Sequence, residues 1–267
     1  MMAVAIPFGQ YVPGNSTMHR LEPRAKIVAT LALTVALFLI DSWAGLAVVG
    51  AVVLLAAGVS GIQPRLLARG LRPALFVLGF ILFANALVWK PDPGSDVLVS
   101  VGNLAVSSAG LARGLFFAAR IVLLVLGTTL VTLTTSPVAL TDAIARFLRP
   151  LERFGFPSGD VATMLSIALR FIPASAEEAE AVIFAQAARG ATFDKGGPIR
   201  RTKAYIPVLI PLFVGLFRRA DDLALAMEAR CYRGRGRTHL RESRLRGADW
   251  AVMGATIALA ASVAVYL

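Results

Sequence analysis

Two short segments of the chain repeat each other: Gln186-Ala187-Ala188-Arg189-Gly190 and Met227-Glu228-Ala229-Arg230-Cys231. Each puts an arginine where a helix-length stretch stops. The chemistry this suits is recognition. A guanidinium stays charged at any accessible pH, and its planar fork pairs bidentately with a carboxylate. A cation is also favoured at a helix C-terminus, where the macrodipole is negative. A single Arg-Gly would more simply cap its own helix or touch a lipid headgroup. Two similar tips in one basic region point instead to acidic grooves on a partner protein.

No other residue set converges on a reaction. In Glu177-Glu178-Ala179-Glu180 and Arg218-Arg219-Ala220-Asp221-Asp222, neighbouring side chains on a helix diverge by about 100° and cannot share a metal. These runs read as solvated faces or as salt bridges between two helices. His19 and His239 are the only histidines, and neither lies in a ligand pattern such as His-Glu-x-x-His. The chain has no phosphate-binding Gly-x-x-x-x-Gly-Lys-Ser/Thr loop and no Gly-x-Ser-x-Gly elbow. Catalytic residues, metal ligands and cofactors are accordingly expected to be absent.

The elements that must hold the tips are membranous. The 267 residues are 57% hydrophobic and carry a formal net charge of +11, and mean hydropathy is +0.72. High apolarity with few charges defines a membrane class. The positive charge fits basic residues kept on the cytoplasmic side beside anionic lipid, and no basic-aromatic pattern speaks for nucleic acid. The single cysteine, Cys231, excludes an internal disulfide. The N-terminus lacks the order of a cleaved signal peptide.

A membrane-spanning helix takes about 20 mostly apolar residues. Candidate spans are 25–40, 43–59, 73–89, 109–133 and 248–267. Arg20, Arg24 and Lys26 precede the first, and Arg65, Arg69 and Arg72 fill the connection between the second and third. The first-to-second connection has no Lys or Arg, so the N-terminus is expected in the cytoplasm. Five spans would leave the C-terminus outside. His19, in the polar run before the first span, is expected to fix where the chain enters the membrane. Arg113 and Arg120 fall within the fourth apolar segment. Arg113 suits the outer interface, whereas Arg120 should face other helices, with its partner undefined. Gly110-x-x-x-Gly114 permits close helix contact.

Residues 135–249 hold 18 of the 27 Lys and Arg and 12 of the 16 Asp and Glu. They remain rich in Leu, Ala, Ile and Phe, which reads as amphipathic helices at the membrane. Ser136-Pro137 resembles an N-cap followed by proline at the first helical position, opening a helix to about residue 154. A second helix is expected from about 160 to 189, stopped by Gly190, and a third from about 198 to 230 or 232. Pro173 should bend the second, and Pro207 and Pro211 the third. Each is expected to start against the membrane domain and project its C-terminal end into the cytoplasm. The expected organisation is an all-α integral membrane protein. It comprises a four-span membrane domain (1–134), three cytoplasmic amphipathic coupling helices (135–247) and a C-terminal transmembrane helix (248–267).

The sequence closely resembles the transmembrane component of energy-coupling factor vitamin transporters of the type whose coupling module is shared. The resemblance covers nearly the whole chain. It is carried by Tyr11-Val12-Pro13-Gly14-Asn15-Ser16, His19-Arg20-Leu21-Glu22-Pro23-Arg24-Ala25-Lys26 and Leu133-Thr134-Thr135-Ser136-Pro137. Ser166-Ile167-Ala168-Leu169-Arg170-Phe171-Ile172-Pro173, residues 185–190 and the run 217–230 carry it further. It implies that two cytoplasmic tips dock onto two ABC-type ATPases. By position these are Ala188, Arg189 and Gly190, then Ala229, Arg230 and Cys231. Cys231 departs from the glycine of the pattern, and that helix is expected to run on to Tyr232–Arg233 before Gly234.

The resemblance further implies a prokaryotic inner-membrane subunit that scaffolds a small substrate-binding membrane subunit, or several interchangeable ones in turn. Ile206, Leu209, Ile210, Phe213 and Phe217 are the expected contact face. ATP and magnesium would be bound by the ATPases, and this chain would transmit their motion without catalysis. A membrane-embedded lipid-modifying enzyme and a stand-alone permease are the competing readings.

Overall fold

A computed structural model of the chain describes residues 11–88, 97–101, 104–191, 193, 197–233 and 245–266. The chain divides into two compact units. The first comprises Met1–Leu140 and Ser243–Leu267, and the second Thr141–Glu242.

Apolar helices dominate the first unit. The short turn α1 (Thr17–Arg20) precedes α2 (Pro23–Leu39), α3 (Trp43–Ser60), α4 (Pro64–Val88), α5 (Ser108–Thr134) and, at the far end of the chain, α10 (Gly247–Tyr266). One antiparallel hairpin, β1 (Val97–Val101) with β2 (Leu104–Ser107), leads into α5. Among the described residues the architecture is thus all-α apart from this hairpin. Among the described residues, three helices, Trp43–Ser60, Pro64–Asn85 and Ser108–Thr134, are long and apolar enough to cross a membrane. α2 has 17 residues, about 26 Å of rise against a hydrocarbon core of about 30 Å, a mismatch that bilayers accommodate.

The ends of α2, α3, α5 and α10 fall within two residues of the sequence expectation. Pro23 sits at the first helical position of α2, and the Ser42 hydroxyl accepts the Gly45 N–H at the start of α3. α4 differs. It was expected to begin at Pro73 but begins at Pro64, so Arg65, Arg69 and Arg72 lie on its first turns instead of in a loop. Their spacing puts all three on one exposed face of an amphipathic helix start. Pro73 is carried inside the helix, and Trp89 lies outside the described residues.

Leu37, Ile40, Leu46, Val49, Val53, Phe116, Leu130, Leu133 and Val263 form the buried core of this unit. α4 and α5 pack closely at Gly114, where a Cβ would sit 3.2 Å from the Asn85 Cβ. Gly114, the second glycine of the Gly-x-x-x-Gly pattern, therefore marks a real close approach.

Two polar ties hold the unit. Arg120, whose partner the sequence left open, donates to the Ile40 carbonyl at the end of α2. Its guanidinium also lies 3.7 Å from the Asp41 carboxylate and 4.9 Å above the Phe116 ring. The charge thus meets the negative end of a helix and an aromatic face, two ways of lowering its cost among apolar helices.

The second tie is at the opposite end of α2. Lys26, 3% exposed, is a buried member of α2 and not a flanking charge. Its Nζ donates to the Thr134 carbonyl (2.9 Å) and the Thr135 hydroxyl (3.2 Å) at the end of α5. Asp249, 2% exposed, supplies the nearby opposite charge. Its carboxylate accepts the Glu22 N–H (2.9 Å) and the Arg246 N–H (2.8 Å). The Val12 N–H donates to the Leu133 carbonyl (3.0 Å), and the His19 ring bridges Ser16 and the Val12 carbonyl. The N-terminal segment is therefore strapped over the end of α5.

The second unit contains most of α6 (Pro137–Leu148), a 3-10 turn (Arg149–Phe154), α7 (Ser158–Ala188), α8 (Pro198–Ala204) and α9 (Ile206–Ala229). Ser136 caps α6 by accepting the Ala139 N–H, as the Ser-Pro pair predicts. Gly155, at φ +86°, ends the 3-10 turn. The third coupling helix was expected to be continuous from 198. It is broken at Tyr205, because Pro207 has no N–H for the carbonyl of residue 203, and α9 starts afresh at Ile206.

Lys26→Met should destabilise the protein by about 3–5 kcal/mol, since it strips a buried carboxylate of its countercharge and the end of α5 of its donor. Thermal unfolding in detergent followed by circular dichroism measures this; an unchanged midpoint would show that the tie contributes nothing.

Candidate docking tips and apolar platform

α7 and α9 run antiparallel. The Tyr232 hydroxyl donates to Thr163 Oγ1 (3.3 Å), Arg219 pairs with Glu178 (2.9 Å), and the Gln186 amide donates to the Pro207 carbonyl (3.4 Å). Residue numbers rise along one helix as they fall along the other. Arg189 and Arg230 therefore lie at opposite ends of the pair, and not side by side as two parallel helices would place them. Short connections between helices favour this antiparallel arrangement. The Arg219–Glu178 pair also resolves the two charged runs as a bridge between helices.

Both tips end in the same backbone structure. At the end of α7, the Gly190 N–H donates to the Ala187 carbonyl (2.9 Å) and the Ala191 N–H to the Gln186 carbonyl (3.0 Å). At the end of α9, the Cys231 N–H donates to Glu228 (2.8 Å) and the Tyr232 N–H to Met227 (3.0 Å). Each is a Schellman motif, with the arginine as the cap residue and the next residue left-handed. Gly190 has φ +90° and Cys231 φ +54°. Cys231 is the only described residue other than glycine with positive φ. The expected extension of the helix to Tyr232–Arg233 is thus corrected. It ends at Ala229, because Cys231 takes the glycine conformation in spite of its Cβ.

This geometry bears on what the arginines are for. Backbone N–H groups already occupy the Gln186 and Ala187 carbonyls at one tip and those of Met227 and Glu228 at the other, so the caps close without either guanidinium. Ala188, Arg189, Gly190, Ala229, Arg230 and Cys231 are all exposed. Among the described residues neither the Arg189 nor the Arg230 side chain has a hydrogen-bond or ion-pair partner. Both charges are held out and unspent.

Along α9, Ile206, Leu209, Ile210, Phe213 and Phe217 recur at helical spacing on one face, and each is exposed, Phe217 by 69%. Val208, on another face, is only 3% exposed. An apolar stripe left open in this way is an interaction surface for lipid or protein.

A bundle of apolar helices, three of them among the described residues long and apolar enough to cross a membrane, together with an antiparallel pair of long helices, defines a helical membrane protein. Comparison with known proteins narrows this class. The family described as CbiQ, cobalt transport protein, matches residues 14–240. The energy-coupling factor transporter transmembrane protein EcfT of Thermosediminibacter oceani is 44% identical over 256 residues, which covers 96% of this chain and 95% of the relative. The proteins of the same name from Ruminiclostridium cellulolyticum and Listeria innocua are 43% and 44% identical, over 253 and 242 residues. They cover 94% and 90% of this chain and 93% and 90% of their own lengths. The chain belongs to the family of transmembrane components of energy-coupling factor transporters.

Cys231→Gly should stabilise the α9 tip by about 0.5–1 kcal/mol by removing a left-handed Cβ, and Gly190→Ala should cost a similar amount at the other tip. Chemical denaturation in detergent reads both. Equal stability of all three proteins would mean that the left-handed caps carry no strain.

Proposed function

We propose that the protein is the transducing subunit of an ATP-driven importer for a vitamin or other micronutrient, and that Arg189 and Arg230 dock onto two ABC-type ATPases. The observation that carries this reading is the matched pair of exposed, unpartnered arginines on identical caps at opposite ends of one helix pair. Two like charges at two separated ends suit two like acceptors, one acidic groove on each of two similar subunits. Ala188, Gly190, Ala229 and Cys231 shape the backbone that presents the charges.

In this reading the chain binds no nucleotide. ATP and magnesium belong to the partner ATPases, and this chain needs no cofactor. Closure of the ATPases on ATP moves their grooves, and the helices follow as rigid levers. The stripe Ile206, Leu209, Ile210, Phe213 and Phe217 receives a small substrate-binding membrane subunit, which reorients as the helices shift. A flat apolar face with few polar demands suits exchange between several such subunits. Cargo choice then rests with that subunit. The N-terminus and the coupling helices face the cytoplasm of a prokaryotic cell, on the side where the Lys and Arg concentrate.

Arg189→Glu and Arg230→Glu should each lower recovery of the ATPases with the tagged chain in detergent by about tenfold or more, as expected when like charges meet in a groove. Full recovery of both ATPases with the double variant would overturn the docking role. Phe213→Ser with Phe217→Ser should reduce capture of the substrate-binding subunit while ATPase recovery persists. Loss of both partners together would instead indicate general misfolding.

A further inference from the structure

The middle of the α7–α9 pair holds a clasp. Arg219 Nη2 lies 2.9 Å from Glu178 Oε2. The other carboxylate oxygen of Glu178 occupies the space over Gly215, where a Cβ would lie only 2.7 Å from Oε1. Glycine inside a helix costs about 1 kcal/mol relative to alanine, so Gly215 is locally unfavourable. What it supplies is the notch in which the carboxylate rests, one turn before the arginine that pairs with it.

The position of the clasp relative to the tips is symmetric. Arg189 follows Glu178 by eleven residues, and Arg230 follows Arg219 by eleven. Eleven residues are close to three turns and about 16 Å. Each tip arginine therefore emerges from nearly the same face of its helix as the clasp residue on that helix. The two arms, Ala-Glu-Ala-Val-Ile-Phe-Ala-Gln-Ala-Ala and Ala-Asp-Asp-Leu-Ala-Leu-Ala-Met-Glu-Ala, contain no glycine or proline and are rich in strong helix formers. The prolines lie on the other side: Pro173 precedes Glu178, and Pro211 precedes Gly215. The helix-weakening prolines thus precede the clasp on both helices, and the arms beyond it carry an unbroken run of helix formers.

We propose that Glu178 and Arg219, seated on Gly215, are positioning residues that form the fulcrum of the helix pair and set the distance and angle between the two arginine tips. Rotation about this point moves both tips by equal amounts in opposite directions, because the arms are of equal length. An ion pair that is partly open to solvent adds little to stability. It fixes the register of α7 against α9 and leaves the crossing able to turn. The functional consequence rests on the docking role proposed for the tips; the geometric one does not.

The test reads the geometry first. Spin labels on Cys231 and on Ala191→Cys flank the two tips of the full-length chain in detergent, and pulsed dipolar spectroscopy gives the distance between them. The unaltered clasp should give one narrow distribution. Glu178→Gln and Gly215→Ala should each broaden it by about twofold, the second by evicting the carboxylate, as free levers would spread. The charge-exchanged protein, Glu178→Arg with Arg219→Glu, should narrow it again. Unchanged distributions in Glu178→Gln and Gly215→Ala, or failure of the exchange to restore the narrow one, would overturn the fulcrum. The second reading is joint recovery of both ATPases, expected to fall in Glu178→Gln and return in the exchanged protein. Full joint recovery despite a broadened distribution would overturn the positioning role. The distance measurement contains no ATPase, so it judges the clasp even where the Arg189→Glu/Arg230→Glu protein shows that the tips do not dock.

Discussion

Every helix ends with carbonyls that its own backbone cannot pair, and the donor found for them decides what the neighbouring side chains are free to do. In the first unit the donors come from elsewhere in the chain. Arg120 serves the end of α2, while Lys26 and the Val12 N–H serve the end of α5. A buried helix end has no water to turn to, so each of these contacts also fixes one segment against another. The tie at Lys26 draws the N-terminal strap, α2, the end of α5 and the start of α10 to one place. Removing apolar area from lipid gives little drive for helices to associate, so such specific contacts and close approaches such as Gly114 carry more of the packing.

In the second unit the same requirement is met by the backbone alone. The paired N–H donations at Gly190 and Ala191, and again at Cys231 and Tyr232, close the two tips without a side chain. Arg189 and Arg230 are left with no internal work. That the chain accepts a left-handed cysteine at one tip shows that the cap geometry outweighs the local preference of the residue placed there. Among the described residues, left-handed backbone in a residue other than glycine is confined to this one tip.

Exposure has different meanings along the chain. Phe76, Phe80 and Phe83 on α4 are exposed on a helix apolar enough to span a membrane, where lipid is the expected neighbour. The open stripe of α9 belongs to a helix that also carries Arg218, Arg219, Asp221 and Asp222 in its second half. One helix thus combines an exposed apolar stripe in its first half with a charged second half tied to α7 through Arg219 and Glu178.

The sequence by itself determined the membrane class, the limits of α2, α3, α5 and α10, the capped start at Ser136-Pro137 and the two arginine tips. Each is written locally, in runs of apolar residues bounded by Pro, Ser or Gly. The start of α4 was not legible, because Arg65, Arg69 and Arg72 look like a loop until their spacing is placed on a helix. Neither was the break at Tyr205, where a proline two residues on interrupts a ladder that composition alone would continue. The partner of Arg120, the burial of Lys26, the antiparallel sense of α7 and α9 and the pairing of Glu178 with Arg219 over Gly215 were decided only by the tertiary structure. These contacts join residues far apart in the chain, and no local preference selects one distant partner over another; only packing does.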